Sequence, residues 1–115
     1  MMIFKFLLGM FVILNGMAAS HRPIDFITSI EHDPKAGQKI YQSFCQNCHA
    51  PKPLIPVGAP RMGNAKDWEK RLTQGQKALL QHTIEGIGIM PARGGCFECS
   101  DEQLQKAIDY LLAAH

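Results

Sequence analysis

Cys45-Gln46-Asn47-Cys48-His49 sets two thiols two residues apart, with an imidazole directly after the second. This is the C-x-x-C-H attachment signature of a c-type haem. Each sulfur adds across one haem vinyl group and becomes a thioether. Two intervening residues let one helical turn present both sulfurs to one edge of the ring. His49 then lies under the iron as the proximal ligand, a role histidine fills in many haem proteins.

Cys96 and Cys99 repeat the spacing without a following histidine. Four cysteines in two such pairs raise the alternative of a zinc site. Zinc ribbons space their pairs by about 15–20 residues, whereas 47 residues intervene between Cys48 and Cys96. A thioredoxin-like redox pair would need βαβ units, and the chain has no strand-rich pattern to build one.

Beyond residue 20 the chain holds two methionines, Met62 and Met90. A ligand to the opposite face of the iron must come from chain that has travelled around the ring edge. Met62 is 13 residues from His49 and Met90 is 41 residues on, in a loop of glycines and a proline that lets the backbone approach the ring closely. Met90 is therefore the expected distal ligand. Met62 reads as pocket filler, and His82 as packing on a helix. Histidine/methionine ligation raises the potential and leaves no open position for oxygen, which points to electron transfer.

These ligands need helices to place them. Asp33 as N-cap and Pro34 at the first helical position predict a helix that runs into Cys45. Gly37, Ile40, Tyr41 and Phe44 fall on one face of it. Residues 21–30 show no clear period and read as a lead-in. Five prolines and glycines from Pro51 to Pro60 make residues 50–63 an extended loop. Helices are expected at about 65–74, carrying Trp68 and Leu72, and at about 75–85, ended by Gly86 and Gly88. Ser100 and Gln103 form a capping box for a last helix with Leu104, Ile108, Leu111 and Leu112 on its apolar stripe.

Residues 1–20 run from Lys5 through an apolar stretch at 6–14 to Gly16, Ala18, Ala19 and Ser20. That is the order of a secretory signal peptide. The stretch is shorter than the ~20 apolar residues of a membrane span, so cleavage is expected, with an uncleaved anchor as the alternative. Residues 21–115 make one domain, small enough to need support for its core, which a covalent haem supplies. Attachment of haem c in bacteria takes place outside the cytoplasm, so both signals place the domain in the periplasm. Lys5 is the only charged side chain before position 21, which leaves 11 Lys and Arg against 10 Asp and Glu. There is no basic stripe for nucleic acid.

Taken together these residues resemble the class I cytochromes c and, within them, the cytochrome c5 family. The likeness rests on Gly37-x-x-x-Tyr41-x-x-x-Cys45-x-x-Cys48-His49, Gly58-Ala59-Pro60, Trp68, Met90-Pro91 and Gly94-Gly95-Cys96-x-x-Cys99-Ser100. It implies an all-α fold of four or so helices around one covalently bound haem. The N- and C-terminal helices would cross near Gly37 and Tyr41, with Leu104 and Ile108 against Tyr41. The resemblance further implies a disulfide between Cys96 and Cys99. It implies that the Pro60 carbonyl accepts from the His49 ring, that Met62 lines the pocket, and that Trp68 and Arg71 bond a haem propionate. The expected function is a mono-haem carrier of single electrons between redox proteins of the respiratory chain, not an enzyme. Contact with a membrane would come only from docking to membrane complexes or from a retained anchor. Lys52, Arg61, Lys66 and Arg93 lie in or beside the loops expected to rim the haem, where their charge could steer an acidic partner. The rival functions are a peroxidase or gas-binding domain with an open sixth position, and a thiol-redox protein acting through Cys96 and Cys99.

Overall fold

Pro23 opens the first helix in a computed structural model that describes residues 22–113. The expected signal peptide at residues 1–20 lies outside the described residues. Helix α1 spans Pro23–Ile30, where the sequence suggested only a lead-in. Proline suits the first turn, whose N–H groups have no helical partner. Phe26, Ile27 and Ile30 recur at helical spacing, and burying them is what holds so short a helix. Ile30 is fully buried, and the Phe26 ring meets Phe44 edge-on at 5.9 Å.

The next helix begins later than Asp33-Pro34 suggested. Asp33 instead folds a turn: its carboxylate accepts from the Lys35 N–H at 2.8 Å and its carbonyl from the Ala36 N–H at 3.0 Å. The bond to Lys39, with the one from Lys35, holds the Asp33 carboxyl below the usual carboxylate range. Helix α2 then covers Ala36–Ile40. A π turn follows at Tyr41–Cys45, with the Gln46 N–H bonded to the Tyr41 carbonyl five residues back. Helix α3, Gln46–His49, completes the segment. Such widened turns are rare and gather at functional sites.

Helix α4 is Ala65–Leu72, where Asn64 accepts from the Asp67 N–H as N-cap. Helix α5 is Gln76–Glu85, closed by Gly86 at φ 81°. A 3-10 turn at Ala92–Gly95 leads to α6, Asp101–Leu112, which Ser100 and Gln103 cap reciprocally. The fold is all-α. Among the described residues the only β pairing is the single bridge between Ile87 and Met90.

Helices α2 and α6 cross at Gly37, where a Cβ would fall 2.7 Å from the Lys106 carbonyl carbon. Two buried clusters lie beside the crossing. Ile30, Ala36, Ile40, Leu104 and Ala107 form the first, together with Cys96 and Cys99. Tyr41 belongs to the second, with Met62 and Leu111. This corrects the expected packing of Leu104 on Tyr41: Leu104 sits in the first cluster, and the Tyr41 ring meets Tyr110 at 5.3 Å.

Candidate haem centre

The attachment motif is presented where the π turn ends. Cys45 closes that turn and Cys48 follows on α3; both are half-buried free thiols. Burial, and secondarily the nearby Cys48, pushes the Cys45 thiol up to about 11.

Among the described residues His49 is the buried polar side chain, 8% exposed. Its Nδ1 lies 2.7 Å from the Pro60 carbonyl oxygen. A carbonyl only accepts, so Nδ1 carries a hydrogen, which in the neutral ring leaves Nε2 its lone pair. An imidazole whose second nitrogen donates to a backbone carbonyl is the form that ligates a metal with a fixed ring orientation. The same loop also holds the motif backbone. The His49 carbonyl accepts from the Met62 N–H at 2.7 Å, and the Asn47 carbonyl from the Ile55 N–H at 2.8 Å. Prolines shape residues 50–63, and these bonds tie that stretch back onto α3.

Pro60, Arg61 and Met62 act as one brace. Between the bonds of Pro60 and Met62 to His49, the Arg61 carbonyl accepts from Trp68 Nε1 at 2.9 Å. Arg61 Nε and its backbone N–H both donate to Asp67, at 2.8 and 3.1 Å. That pairing holds the Asp67 carboxyl below its usual range. The Trp68 ring stacks near the imidazole, with centroids 6.2 Å apart and planes 24° apart. The family resemblance assigned Trp68 and Arg71 to a propionate. Here the indole N–H is bonded to Arg61, and Arg71 Nη1 donates to the Asp67 carbonyl at 2.6 Å on an exposed face. Met62 is buried against Tyr41 and Leu111. The Arg61–Asp67 pair was missed, although Asn64 and Asp67 show the N-cap spacing of a helix start.

The second side is a different construction. Met90 exchanges both backbone bonds with Ile87, at 2.9 and 3.2 Å, around a tight turn. Gly86 sits beneath it at φ 81°, where a Cβ would lie 2.8 Å from the Met90 carbonyl oxygen. After Pro91 the 3-10 turn touches the π turn that carries Cys45, which returns the Met90 loop toward the motif. A disulfide joins Cys96 to Cys99, both buried in the first cluster. A thiol pair that works by exchange needs access to partners, so this bridge fits a brace and not a redox reagent. His82 lies on the helix expected for it, α5.

The donor set fits a haem. It offers two thiols within one turn of each other, an imidazole of defined tautomer, and a thioether in a loop folded back toward them. Cys45, Tyr41, Met62 and Trp68 supply apolar surface beside them.

Comparison with known proteins gives this geometry its relatives. The family model described as "Cytochrome C oxidase, cbb3-type, subunit III" matches residues 32–111. Cytochrome c-555 of Chlorobaculum tepidum is 33% identical over 85 residues, covering 70% of this chain and 76% of that protein. Cytochrome c5 of Ectopseudomonas mendocina is 34% identical over 76 residues, covering 64% of this chain and 84% of that protein. A chain in a solved electron transfer complex of nitrite reductase with cytochrome c is 39% identical. It aligns with TM-score 0.62 over 71% of this chain and 95% of that one.

Proposed function

We propose that this chain, which belongs to the class I cytochromes c and is c5-like, carries single electrons between periplasmic redox proteins with His49 and Met90 as axial iron ligands. It holds one covalent haem c and is an electron carrier, not an enzyme. The observation that carries the ligand reading is the His49–Pro60 bond, which leaves Nε2 as the metal donor.

The haem supplies an iron that alternates between ferrous and ferric states. The residues do the rest. Cys45 and Cys48 fix the ring covalently, and the Pro60 carbonyl orients the imidazole. Tyr41, Met62 and Leu111 pack with Cys45 and Trp68 into an apolar wall beside the motif. Met90, offered from the glycine loop, would hold the iron from the other side and leave no place for oxygen or a substrate.

Docking follows from the rim. Leu54 and Ile55 on one loop and Ile87 and Ile89 on the other are exposed apolar side chains. Of the four cations considered for steering, Arg61 and Arg93 are tied to Asp67 and Asp101. Lys52 and Lys66 are in no ion pair among the described residues. A redox protein would therefore meet an apolar rim with few free charges, and electron exchange would respond weakly to salt.

Export through a signal peptide at residues 1–20 and a place in a respiratory chain complete the reading. The test is an absorbance spectrum and redox titration of the purified holoprotein. The oxidised form should show the weak near-infrared band of sulfur-to-iron charge transfer, and the reduced form should not bind carbon monoxide. Ready binding of carbon monoxide would overturn it in favour of an open-site haem protein.

A further inference from the structure

Arg93 is the one non-glycine residue among those described with positive φ, at φ 58° and ψ 18°. Gly94 and Gly95 after it share that sign, so three residues in a row have positive φ. Glycine adopts that backbone freely, whereas a residue with a Cβ does so under strain. An arginine persists there only if its side chain returns more than the strain takes.

The side chain has a task. Arg93 Nη2 donates to the Cys99 carbonyl at 2.6 Å and to Asp101 Oδ1 at 2.9 Å. The guanidinium is mostly covered, at 22% side-chain exposure. It thus reaches over the disulfide and binds both its far end and the first residue of α6. Its backbone is held as well: the Arg93 carbonyl accepts from the Cys96 N–H at 3.0 Å, and the Gly94 N–H donates to the Pro91 carbonyl at 3.0 Å. The neighbouring Gly94 is where a Cβ would come within 3.9 Å of the Met90 methyl carbon.

We propose that Arg93 is a positioning residue for Met90, a clamp that anchors the methionine loop to α6 and so resists loss of the sulfur from the iron. The proposal rests on Met90 as the sixth ligand. It assigns the resistance to displacement to an electrostatic tie beside the covalent one. One terminal nitrogen, Nη2, serves a carbonyl and a carboxylate at once through its two N–H groups.

Backbone strain makes the test sharp. In Arg93→Gly the left-handed turn becomes unstrained. If the side chain were idle, Met90 would be held as well as before or better. The clamp predicts the opposite sign. Imidazole titration of the oxidised holoprotein, followed by the near-infrared band, should reach half-displacement at a concentration at least about threefold lower than in the wild type, the equivalent of one modest hydrogen bond. Arg93→Lys and Asp101→Asn should fall between the two, while the melting of the helical signal moves little. An unchanged or higher midpoint for Arg93→Gly overturns the clamp. Met90→Ala is measured alongside. If that variant keeps the band, the ligand assignment is wrong and the clamp falls with it. If it loses the band while Arg93→Gly matches the wild type, the clamp alone is refuted.

Discussion

The two loops that flank the haem motif are held by opposite means. Residues 50–63 are pinned by hydrogen bonds that converge on α3, two between backbones at Met62 and Ile55 and one from the His49 ring to the Pro60 carbonyl. Prolines stiffen that chain, and the proposed ligand it serves is the neighbouring His49. The loop that carries Met90 is rich in glycines of positive φ and is held by cross-links: a disulfide, an arginine clamp and a two-bond bridge. The difference follows from chain distance. A ligand inside the attachment motif needs only orientation, so one carbonyl suffices. Met90, the proposed ligand 41 residues away, would first have to be brought in and then kept, which takes bonds that do not depend on neighbouring helix geometry.

The largest effects should therefore come from breaking the first side. Replacing Cys48 or His49 with Ala should nearly abolish holoprotein, read as the covalent haem mass of the denatured chain. Met90→Ala should leave the haem attached but lower the potential, remove the near-infrared band and open the iron to carbon monoxide. If Met62→Ala does this instead, the two methionines have been given the wrong roles.

Next in size is the backbone beneath Met90. Gly86→Ala puts a Cβ against the Met90 carbonyl in a residue of positive φ, at a cost of about 2–4 kcal/mol. The loss should appear as early melting of the near-infrared band. Ala at both Cys96 and Cys99 removes a four-residue cross-link, worth about 2 kcal/mol by chain entropy. Folding and haem attachment should survive, with the unfolding midpoint lowered by about 8–16 °C. A protein that fails to fold would mean the bridge is central to the core and not a local brace.

The smallest effects should be at the two helix caps. Asn64 caps α4 behind the first loop and Ser100 caps α6 after the second. Replacing either with Ala should cost about 1 kcal/mol of global stability. Neither should shift the potential, because each cap bonds only its own helix. A shift for Ser100→Ala alone would show that the second loop leans on α6 more than the first leans on α4.

Much of this was legible where side-chain chemistry is local. Ser100 and Gln103 announce their box, Gly86 ends α5, and the prolines mark the loop at 50–63. Short elements were harder to read. Helix α1 has only Phe26, Ile27 and Ile30 to mark its face, and eight residues give the period little room to show. Asp33-Pro34 signals both a helix start and a turn, and the bond to Lys35 decides for the turn. The propionate roles of Trp68 and Arg71 rested on resemblance. Trp68 Nε1 meets the Arg61 carbonyl in the turn before α4, and Arg71 Nη1 the Asp67 carbonyl one helical turn back.

The π turn at Tyr41–Cys45 works as a vernier between two fixed alignments. Upstream, Gly37 must face α6; downstream, His49 must face Pro60. One residue of an ordinary helix is about 100° of rotation, so a uniform α-helical rod of the same length would satisfy one alignment and spoil the other. The wide turn absorbs that phase error. A single-residue deletion within it, or transplantation of residues 36–49 onto a straight scaffold helix, would leave the attachment signature intact in sequence and aim its imidazole at the wrong wall.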